Sequence, residues 1–346
     1  MIKVGIVGAT GYTGAELVRL LLRHPEVEIA CITARSEVGK EIAELFPNLR
    51  GQTDLRFSDL ASEELEKCDA LFFATPHGVC MQKAKELLDK GVKIIDLSAD
   101  FRIKNLHEFQ NWYAIEHSAP ELLTEAVYGL PETHREEIKK ARLIANPGCY
   151  PTAVQLGMLP ALQNAIVETF PLIADVKSGI SGAGRGAKVA NLFAETGESF
   201  KAYGASGHRH QVEIEQELSN FAGEKISLNF VPHLLPIIRG IEATLYMVLK
   251  NKEISDVEIF SLYEERYKNE EFVIVLPLGE TAETRSVRGS NFVHISLHRS
   301  PDKRTLIVSA VEDNLVKGAA GQAIQNLNLM FGLPENTGLM QLALLP

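Results

Sequence analysis

Residues 2–14 read IKVGIVGATGYTG, an apolar run followed by glycines at positions 8, 11 and 14. The run predicts a buried strand, and AELVRLLLRHP (15–25) predicts an amphipathic helix that stops at Pro25. Glycines between a strand and a helix let backbone amides approach a pyrophosphate at the helix N-terminus. The spacing G-x-x-G-x-x-G is less common than G-x-G-x-x-G, so the strand–helix context distinguishes this turn from a glycine-rich turn without a ligand. The residues expected to hold a dinucleotide here are Gly8, Thr10, Gly11, Tyr12, Thr13 and Gly14.

Strand and helix patterns alternate through the first 150 residues, which predicts a doubly wound, mostly parallel sheet of the Rossmann type. Beyond residue 150 the apolar runs follow one another more closely, which predicts an α+β domain with a mixed, largely antiparallel sheet. Residues 314–333 are helical again and are expected to pack on the first domain. The sequence therefore predicts an α/β protein with a nucleotide-binding domain, 1–148 with 314–346 returning to it, and a second domain, 149–313.

The bulk composition restricts the class of protein. The length of 346 residues suits two domains. The net charge of −10 and the lack of a basic run argue against a nucleic-acid surface. The apolar stretches are too short for a membrane span, and the N-terminus lacks the organisation of a signal peptide. The four cysteines show no zinc or disulfide spacing, so we expect a cytoplasmic protein without a metal ion.

The end of the second strand predicts the choice of cofactor. A NAD-binding domain usually has Asp or Glu there, to hold the ribose hydroxyls. Here the chain reads Thr33-Ala34-Arg35-Ser36, without a carboxylate. An arginine and a hydroxyl suit a 2′-phosphate, so Arg35 and Ser36 predict NADP, unless Arg35 is only a solvated loop residue.

The stretch LIANPGCYPTAV (143–154) sets Cys149 in a stiff bend between a predicted strand and a predicted helix. The bend lies at the carboxyl edge of the sheet, where open α/β folds bind ligands. A helix that opened directly after Cys149 would stabilise a thiolate. We therefore predict a nucleophilic thiol at this position. The remaining cysteines, Cys31, Cys68 and Cys80, are predicted to be buried packing residues.

A thiol that performs acyl chemistry needs an acid/base partner, which is usually histidine. In SGHRHQVEIEQELSNF (206–221), His210 lies one turn before Ile214 on the apolar face of a predicted helix. Glu213 follows by three residues and is expected to orient the imidazole. His208 lies off that face but could reach a substrate from the helix start, so both histidines stay candidates.

An anionic substrate also needs cationic partners. Arg102 follows another strand of the first domain and is expected at the same edge of the sheet. The segment KSGISGAGRGAK (177–188) contains Gly182 and Arg185, and its small residues would let a substrate or a nicotinamide approach the backbone. The alternatives are an ordinary ion pair for Arg102 and a mobile surface loop for 177–188.

The chain resembles the N-acetyl-γ-glutamyl-phosphate reductase family, which is related to aspartate-semialdehyde dehydrogenase. The motifs that carry the resemblance follow in order along the chain: GATGYTG, ANPGCYPTA, SGISGAGR, GHRH and VEDNLVKGAAGQA. The resemblance implies a cytoplasmic homodimer or homotetramer, in which the second domain is catalytic and forms the oligomer. It implies Cys149 as the nucleophile and His210 as the acid/base group. The residues then expected at the substrate are Arg102, Asn146, Arg185, His208 and Glu213, and those expected at the nicotinamide are Ser181, Gly182 and Asn314.

The implied reaction is the NADPH-dependent reduction of an acyl phosphate to an aldehyde and inorganic phosphate, through a thioester on Cys149, in arginine biosynthesis. Close relatives that act on a carrier-bound α-aminoadipyl phosphate or on aspartyl phosphate share this frame, so the acyl group stays open. A glyceraldehyde-phosphate type of dehydrogenase shares the thiol and the two-domain plan. A nucleotide-binding regulatory protein without turnover is the alternative from another class. A metal hydrolase is disfavoured because the two histidines of GHRH lack a third ligand at suitable spacing.

Overall fold

The computed structural model describes residues 1–345 and divides into two compact units. The first unit comprises residues 1–147, 184–186 and 319–341, and the second comprises 148–183, 187–318 and the residues from 342 on. The first part of the first unit ends at residue 147, whereas the sequence pattern predicts its end at residue 148. The chain rejoins the first unit at residue 319, where the sequence pattern placed the return at 314.

The first unit is built on a parallel sheet with helices between its strands. Its strands are β1 (Ile2–Val7), β2 (Val27–Thr33), β3 (Phe57–Ser58), β4 (Ala70–Phe73), β5 (Lys93–Asp96), β6 (Val127–Tyr128) and β7 (Leu143–Ala145). Its first five helices are α1 (Tyr12–Leu21), α2 (Ile42–Leu45), α3 (Cys80–Asp89), α4 (Leu106–Tyr113) and α5 (Pro131–Ile138). Short 3-10 helices cover Pro47–Leu49, Leu65–Lys67 and Pro120–Leu123.

The strand order in this sheet is β3-β2-β1-β4-β5-β7-β6, and every neighbouring pair is parallel. The order reverses at β1, whose carboxyl end is therefore the topological switch point where such sheets bind ligands. The predicted doubly wound parallel sheet is confirmed. The glycine-rich turn after β1 lies at this switch point.

Two elements of the first unit are shorter than their sequence patterns predict. The apolar pattern of VKIIDLSADF (92–101) predicts a strand over the whole stretch, but β5 ends at Asp96, because the Asp96 carboxylate accepts hydrogen bonds from the amide and hydroxyl of Ser98 and so closes a turn. The charged stretch SEELEKC before β4 predicts a helix, but it forms only a 3-10 turn, Leu65–Lys67.

The second unit combines a mixed sheet with covering helices. Its strands are β8 (Val167–Gly179), β9 (Lys201–Ala202), β10 (Leu228–Leu235), β11 (Ile241–Leu249), β12 (Val273–Val275), β13 (Val293–Arg299) and β14 (Thr305–Glu312). Its helices are α6 (Cys149–Gln163), α7 (Phe193–Thr196), α8 (Arg209–Ala222) and α9 (Asp256–Tyr267), with 3-10 turns at Ile180–Ala183, Val189–Asn191 and Thr284–Ser286. The order is β12-β13-β14-β11-β8-β10-β9. Only β8–β10 and β12–β13 pair in parallel, which confirms the predicted mixed, largely antiparallel sheet.

Helix α6 forms the centre of the second unit, since every residue from Tyr150 to Leu162 is buried. Its Gly157 lets the helix approach β11 closely, because a Cβ there would lie 2.3 Å from Leu245 Cδ1. Pro160 has no N–H to bond the carbonyl one turn earlier. The hydroxyl of Tyr267 donates to that carbonyl, on Leu156, at 2.5 Å. A buried proline is therefore accommodated without leaving a backbone acceptor unsatisfied.

The C-terminal part of the chain is helical, as the sequence pattern predicts. A π-helical turn at Val316–Ala320 leads into α10 (Gly321–Met330). Helix α10 belongs to the first unit, where Asn326 Nδ2 donates to the carbonyl of Gly129 at 2.8 Å. Among residues 1–345, no helix is both long enough and apolar enough to cross a membrane.

Candidate active site

The turn between β1 and α1 requires glycine at position 8, and the first turn of α1 requires it at position 14. Gly8 has a φ of +88°, and a Cβ there would lie 2.6 Å from the carbonyl oxygen of Ala74. A Cβ at Gly14 would lie 2.5 Å from the Cα of Ala9. Gly11 is the N-cap of α1 and provides no side-chain cap, so the first amides of the helix face outward for an anion. Tyr12, Thr13 and Gly14 form the first turn of that helix.

A cleft of about 380 Å³ opens at this turn, entirely within the first unit. The predicted nucleotide residues that line it are Gly8, Thr10, Gly11, Arg35 and Ser36. Leu60, which follows β3, and Thr75 and Pro76, which follow β4, also line it. These three residues were not predicted to line the cleft.

Arg185, which was predicted at the substrate, lies in the nucleotide cleft. It belongs to the three-residue segment 184–186 that clusters with the first unit. Its guanidinium lies 5.3 Å from the centroid of the Phe46 ring, and its Nη1 donates to the carbonyl of Thr10 at 3.4 Å. These contacts place a second arginine in the cleft that contains Arg35.

Cys149 is the first residue of α6, directly after the N-cap Gly148. The helix that the sequence pattern predicted after the thiol therefore begins at the thiol itself, so its N-terminal amides favour a thiolate. Cys149 is partly exposed, whereas Cys31, Cys68 and Cys80 are buried, as predicted. The four cysteines thus divide into one accessible thiol and three packing residues.

A buried carboxylate fixes the turn before the thiol. Glu213 Oε1 accepts a hydrogen bond from the amide of Gly148 at 2.8 Å, and the Glu213 residue has 0 % exposed surface. This bond supports the turn before the thiol. The predicted place of Glu213 at the substrate and its predicted bond to His210 both stay predictions.

A second cavity, of about 310 Å³, lies within the second unit and brings together Cys149, His208 and His210. The ring centroids of the two histidines are 5.0 Å apart, and the ring of Tyr150 lies 5.7 Å from that of His210. Three sequence-predicted residues from two distant motifs therefore line one cavity. We call this cavity the thiol pocket.

His208 is the N-cap of α8, and its Nδ1 accepts a hydrogen bond from the amide of His210 at 3.1 Å. Burial, with a smaller contribution from the charge of Arg209, lowers the pKa of His208 to about 4. The imidazole is therefore neutral at pH 7, with its proton on Nε2. His208 orients the start of the helix that carries His210.

The thiol pocket is strongly cationic. Lys188, Lys201 and Arg209 line it, and the residues that form its walls include no aspartate or glutamate. Such a lining favours a substrate with more than one negative charge. None of these three cations was predicted at the site by itself, although Lys188 ends the segment 177–188 and Arg209 lies inside GHRH.

Two tyrosines add hydrogen-bond donors to the pocket. The hydroxyls of Tyr150 and Tyr203 are 2.7 Å apart. Burial raises the pKa of both phenols, and the nearby Cys149 charge raises each further. Both tyrosines therefore stay protonated at neutral pH and can donate to an anionic group.

The other predicted substrate residues lie in the first unit. Arg102 is buried; its Nε donates to the carbonyl of Asn146 at 2.7 Å and its Nη2 to that of Leu97 at 2.8 Å. Asn146 has 0 % exposed surface and binds the C-terminal segment, donating to Ala319 O at 3.3 Å. Asn146 therefore supports the end of β7, and its predicted contact with substrate stays a prediction.

The residues predicted at the nicotinamide lie together in the second unit. Asn314 Nδ2 donates to Ser181 Oγ at 2.9 Å, and Asn314 Oδ1 accepts from the amide of Gly240 at 2.8 Å. Gly182 lines the thiol pocket. This arrangement fixes the amide group of Asn314, while its contact with the cofactor stays a prediction.

Comparison with known proteins defines the class first. The model of the semialdehyde dehydrogenase NAD-binding domain matches residues 3–141, and that of the semialdehyde dehydrogenase dimerisation domain matches residues 149–314. The chain is thus a semialdehyde dehydrogenase-type oxidoreductase with a pyridine-nucleotide domain and a dimerisation domain. The fold is shared with aspartate semialdehyde dehydrogenase II of Vibrio cholerae, at a TM-score of 0.72 and 16% identity over 96% of this chain and 98% of that chain. A probable aspartate-semialdehyde dehydrogenase from Pseudomonas aeruginosa gives 0.71 and 19% over 95% and 98%.

Full-length relatives define the family more closely. The N-acetyl-γ-glutamyl-phosphate reductase of Nitrosospira multiformis is 58% identical over 346 residues, and that of Thiobacillus denitrificans is 59% identical, each over 100% of both chains. The chain belongs to the N-acetyl-γ-glutamyl-phosphate reductase family. The resemblance on which the sequence analysis relied is confirmed.

Proposed function

We propose that the protein reduces N-acetyl-γ-glutamyl phosphate to N-acetylglutamate 5-semialdehyde and inorganic phosphate, with NADPH, in arginine biosynthesis. The observation that carries the proposal is the thiol pocket, where an accessible cysteine at a helix N-terminus meets two histidines and three cations. Both the acyl phosphate and the α-carboxylate of this substrate are anionic, so they suit that lining. Relatives at 58% and 59% identity carry the name of this activity.

Cys149 begins the reaction as a thiolate. Its sulfur attacks the γ-acyl carbon, so a C–S bond forms and the bond from that carbon to the phosphate oxygen breaks. The phosphate leaves with its electron pair, and the cations of the pocket offset its charge. The helix N-terminus favours the thiolate before the attack. The Glu213 carboxylate, through Gly148, holds the backbone that carries the sulfur.

NADPH, when bound, supplies a hydride ion for the reduction of the thioester. The thioester carbonyl oxygen becomes an oxyanion, and donors in the pocket stabilise such a charge by about 3 kcal/mol for each well-placed hydrogen bond. Collapse of the thiohemiacetal re-forms the carbonyl and expels the Cys149 sulfur. Protonated His210 assists this collapse, and a general acid of this kind typically contributes about 10²–10⁴-fold.

His210 is the proposed acid/base group, and His208 is a supporting residue. With a pKa of about 4, His208 holds almost no proton at pH 7 and cannot serve as the acid. Its Nδ1 is also occupied by the amide of His210. His210 is largely buried and lines the same pocket as the thiol.

NADP is proposed over NAD because the end of β2 offers a cation and a hydroxyl to a 2′-phosphate. Arg35 and Ser36 line the nucleotide cleft. The nearby Glu37 is ion-paired with Lys40 at 2.7 Å, and this pair, with a smaller contribution from Arg185, lowers the pKa of the Glu37 carboxyl. The charge of this carboxylate is thus offset by a lysine, and its Oε1 also accepts a hydrogen bond from the Ser36 hydroxyl at 3.3 Å.

Four further proposals follow from the family. Arg102 is proposed to take part in holding the phosphate, and Ser181, Gly182 and Asn314 to bind the nicotinamide. The dimerisation domain supports assembly of the chain, for which we propose a homodimer or a homotetramer. We propose a cytoplasmic location, since the pathway intermediates are small soluble anions.

The reverse reaction gives the direct test. Phosphate-dependent reduction of NADP⁺ by N-acetylglutamate 5-semialdehyde is measured for the wild type, Cys149→Ser and His210→Asn. We expect activity in the wild type, a loss of about 10⁴-fold or more in Cys149→Ser and a loss of about 10²–10⁴-fold in His210→Asn. Matched controls are Cys68→Ala, which removes a buried thiol of the first unit, and His107→Asn, which removes an exposed imidazole.

The substrate assignment fails if the wild type binds NADPH but turns over aspartate β-semialdehyde faster than N-acetylglutamate 5-semialdehyde. The thiol assignment fails if Cys149→Ser keeps more than a few per cent of the activity. The two controls should keep wild-type rates, and a comparable loss in either would show that the variants act through folding.

A further inference from the structure

The segment 184–186 brings an arginine into a cleft that the rest of the first unit builds. Residues 148–183 and 187–318 form the second unit, whereas Gly184, Arg185 and Gly186 cluster with the first. Arg185 and Gly186 line the nucleotide cleft together with Arg35 and Ser36. Gly184 has a φ of +80°, which favours glycine, and a Cβ at either glycine would meet nothing within 4 Å. The backbone around Arg185 can therefore adjust to a ligand.

The contacts of Arg185 place its charge between the pyrophosphate turn and the end of β2. Nη1 donates to the carbonyl of Thr10, in the glycine turn, at 3.4 Å. The guanidinium also lies over the ring of Phe46, with its carbon 5.3 Å from the ring centroid. Its positive charge helps to lower the pKa of the Glu37 carboxyl, which follows Ser36 directly. Arg185 thus adds a positive charge beside Arg35 and Ser36.

The balance of charge at this end of the cleft favours an anion with two negative charges. Glu37 is neutralised by Lys40, at 2.7 Å. Arg35 and Arg185 then contribute two positive charges. The Ser36 hydroxyl donates to Glu37 Oε1 at 3.3 Å and would turn from it to donate to a phosphate. A guanidinium offers five donors in a fork that matches phosphate oxygens, and the ring beneath it restrains its plane.

We propose that Arg185 is the second arginine that binds the 2′-phosphate of NADPH, so that it selects NADPH over NADH. The inference rests on the proposed use of NADPH and adds a specificity residue to it. It also reassigns a residue of the SGISGAGR motif from the substrate to the cofactor. Arg185 contacts the part of the nucleotide that distinguishes the two cofactors, and it takes no part in the chemistry.

The test measures the affinity for each cofactor separately, without an acyl substrate. The dissociation constants of NADPH and NADH are obtained from the change in nicotinamide fluorescence, for the wild type, Arg185→Ala and Arg185→Lys. We expect Arg185→Ala to weaken NADPH by about 10–100-fold and to change NADH by less than about two-fold. Arg185→Lys keeps the charge but loses the planar fork, so its effect on NADPH should be intermediate. Arg50→Ala, an exposed arginine of the first unit outside the cleft, should leave both affinities unchanged.

Equal weakening of NADPH and NADH in Arg185→Ala would overturn the proposal, because it would place the guanidinium on the shared pyrophosphate. No change in either constant would also overturn it. The outcome is independent of the proposed substrate, since a wild type that binds NADPH without turning over N-acetylglutamate 5-semialdehyde leaves the comparison intact. A wild type that binds NADH as tightly as NADPH would instead contradict the proposed cofactor.

Discussion

The turn at Gly8–Gly11 and the turn at Asn146–Gly148 both lead into a helix whose N-cap is a glycine without a side-chain cap. In the first turn, glycines remove side chains, so that backbone amides can face a ligand. In the second, Gly148 turns its own amide inward to the buried carboxylate of Glu213. The next residue, Cys149, remains partly exposed.

The difference shows two ways to use the same helix N-terminus. The first turn binds a ligand with its backbone, so the absence of side chains is what matters. The second turn positions one side chain, so what matters is the packing and the buried acceptor that hold the backbone still. Substitutions should therefore affect the first turn through steric overlap and the second through the loss of a hydrogen bond.

The largest effect is expected from Gly14→Ala, because Gly14 lies in the first turn of α1 and packs against the glycine-rich turn. Its Cβ would lie 2.5 Å from the Cα of Ala9, so backbone atoms must move. Gly11→Ala is the matched variant, because its nearest atom would be the carbonyl oxygen of Gly8 at 3.9 Å. We expect the dissociation constant of NADPH to rise by about 100-fold in Gly14→Ala, from overpacking of about 3 kcal/mol, and far less in Gly11→Ala. Similar losses in both variants would show that the steric account is wrong.

A smaller effect is expected from Glu213→Ala, which breaks the second turn. Loss of the charged acceptor for the Gly148 amide should lower kcat by about 10–100-fold, since such bonds contribute about 1.5–3 kcal/mol. Glu213→Gln keeps an acceptor oxygen and should restore part of kcat. The dissociation constant of NADPH should change far less than kcat in either variant, because Glu213 lines neither the nucleotide cleft nor the thiol pocket.

Glu217→Gln supplies the control for Glu213, because Glu217 is also buried and lies one turn further along α8. It should lower the melting temperature to a similar degree while keeping kcat. If Glu217→Gln lowers kcat as much as Glu213→Gln does, then Glu213 acts only through the stability of the helix.

The smallest expected effect is the pH dependence of the unfolding free energy that His208 causes. Its pKa is about 4 in the folded protein and near 6.5 in the unfolded chain, so the unfolded state takes up the proton first. The free energy of unfolding should therefore fall as the pH falls from about 6.5 to about 4. His208→Asn keeps an N-cap acceptor without this titration, so its urea-unfolding free energy should depend less on pH, by about 1–2 kcal/mol over that window.

The effect of His208 is the difference between the pH dependence of the unfolding free energy in the wild type and that in His208→Asn. Burial and the neighbouring Asp100 raise the pKa of Asp96 to about 7, so the folded state takes up this proton before the unfolded state does. Asp96 therefore raises the free energy of unfolding as the pH falls within the same window, which is opposite to the effect of His208. His107→Asn, at an exposed position of α4, should reproduce the wild-type curve. A variant curve parallel to that of the wild type would show that His208 does not titrate with folding.

The fold could be predicted wherever a local pattern decides the structure. The glycine turn after β1 and the bend at Cys149 are local, and both lie where they were expected. The closely spaced apolar runs after residue 150 likewise predicted the long strands of the second unit. The strands of two residues, such as Phe57–Ser58 and Lys201–Ala202, have no periodicity to detect and are defined only by their neighbours in the sheet.

Long-range contacts set the limit of what the sequence could predict. Lys201 lines the thiol pocket from β9, a strand of two residues that no motif predicts. Lys188 ends the segment 177–188, whose sequence does not show which cavity that lysine lines. Arg185 was predicted at the substrate as a cationic partner, but it clusters with the first unit together with Gly184 and Gly186. His24 and His117 have charged or loop neighbours in sequence, yet both are buried, with His24 bound to Asn328, 304 residues away.

The burial of α6 has a consequence for the exchange of backbone amides with solvent. Every residue from Tyr150 to Leu162 is buried, and tyrosines of α9 donate to the carbonyls of Leu156 and Gly157. Local opening of such a helix would expose most of the core, so its amides should exchange with deuterium only when the second unit unfolds globally. The exposed loop 184–188 should exchange within the shortest labelling time. The Cys149 thiol is therefore attached to the element of its unit that should exchange most slowly, while Arg185 lies on a segment that should exchange fastest.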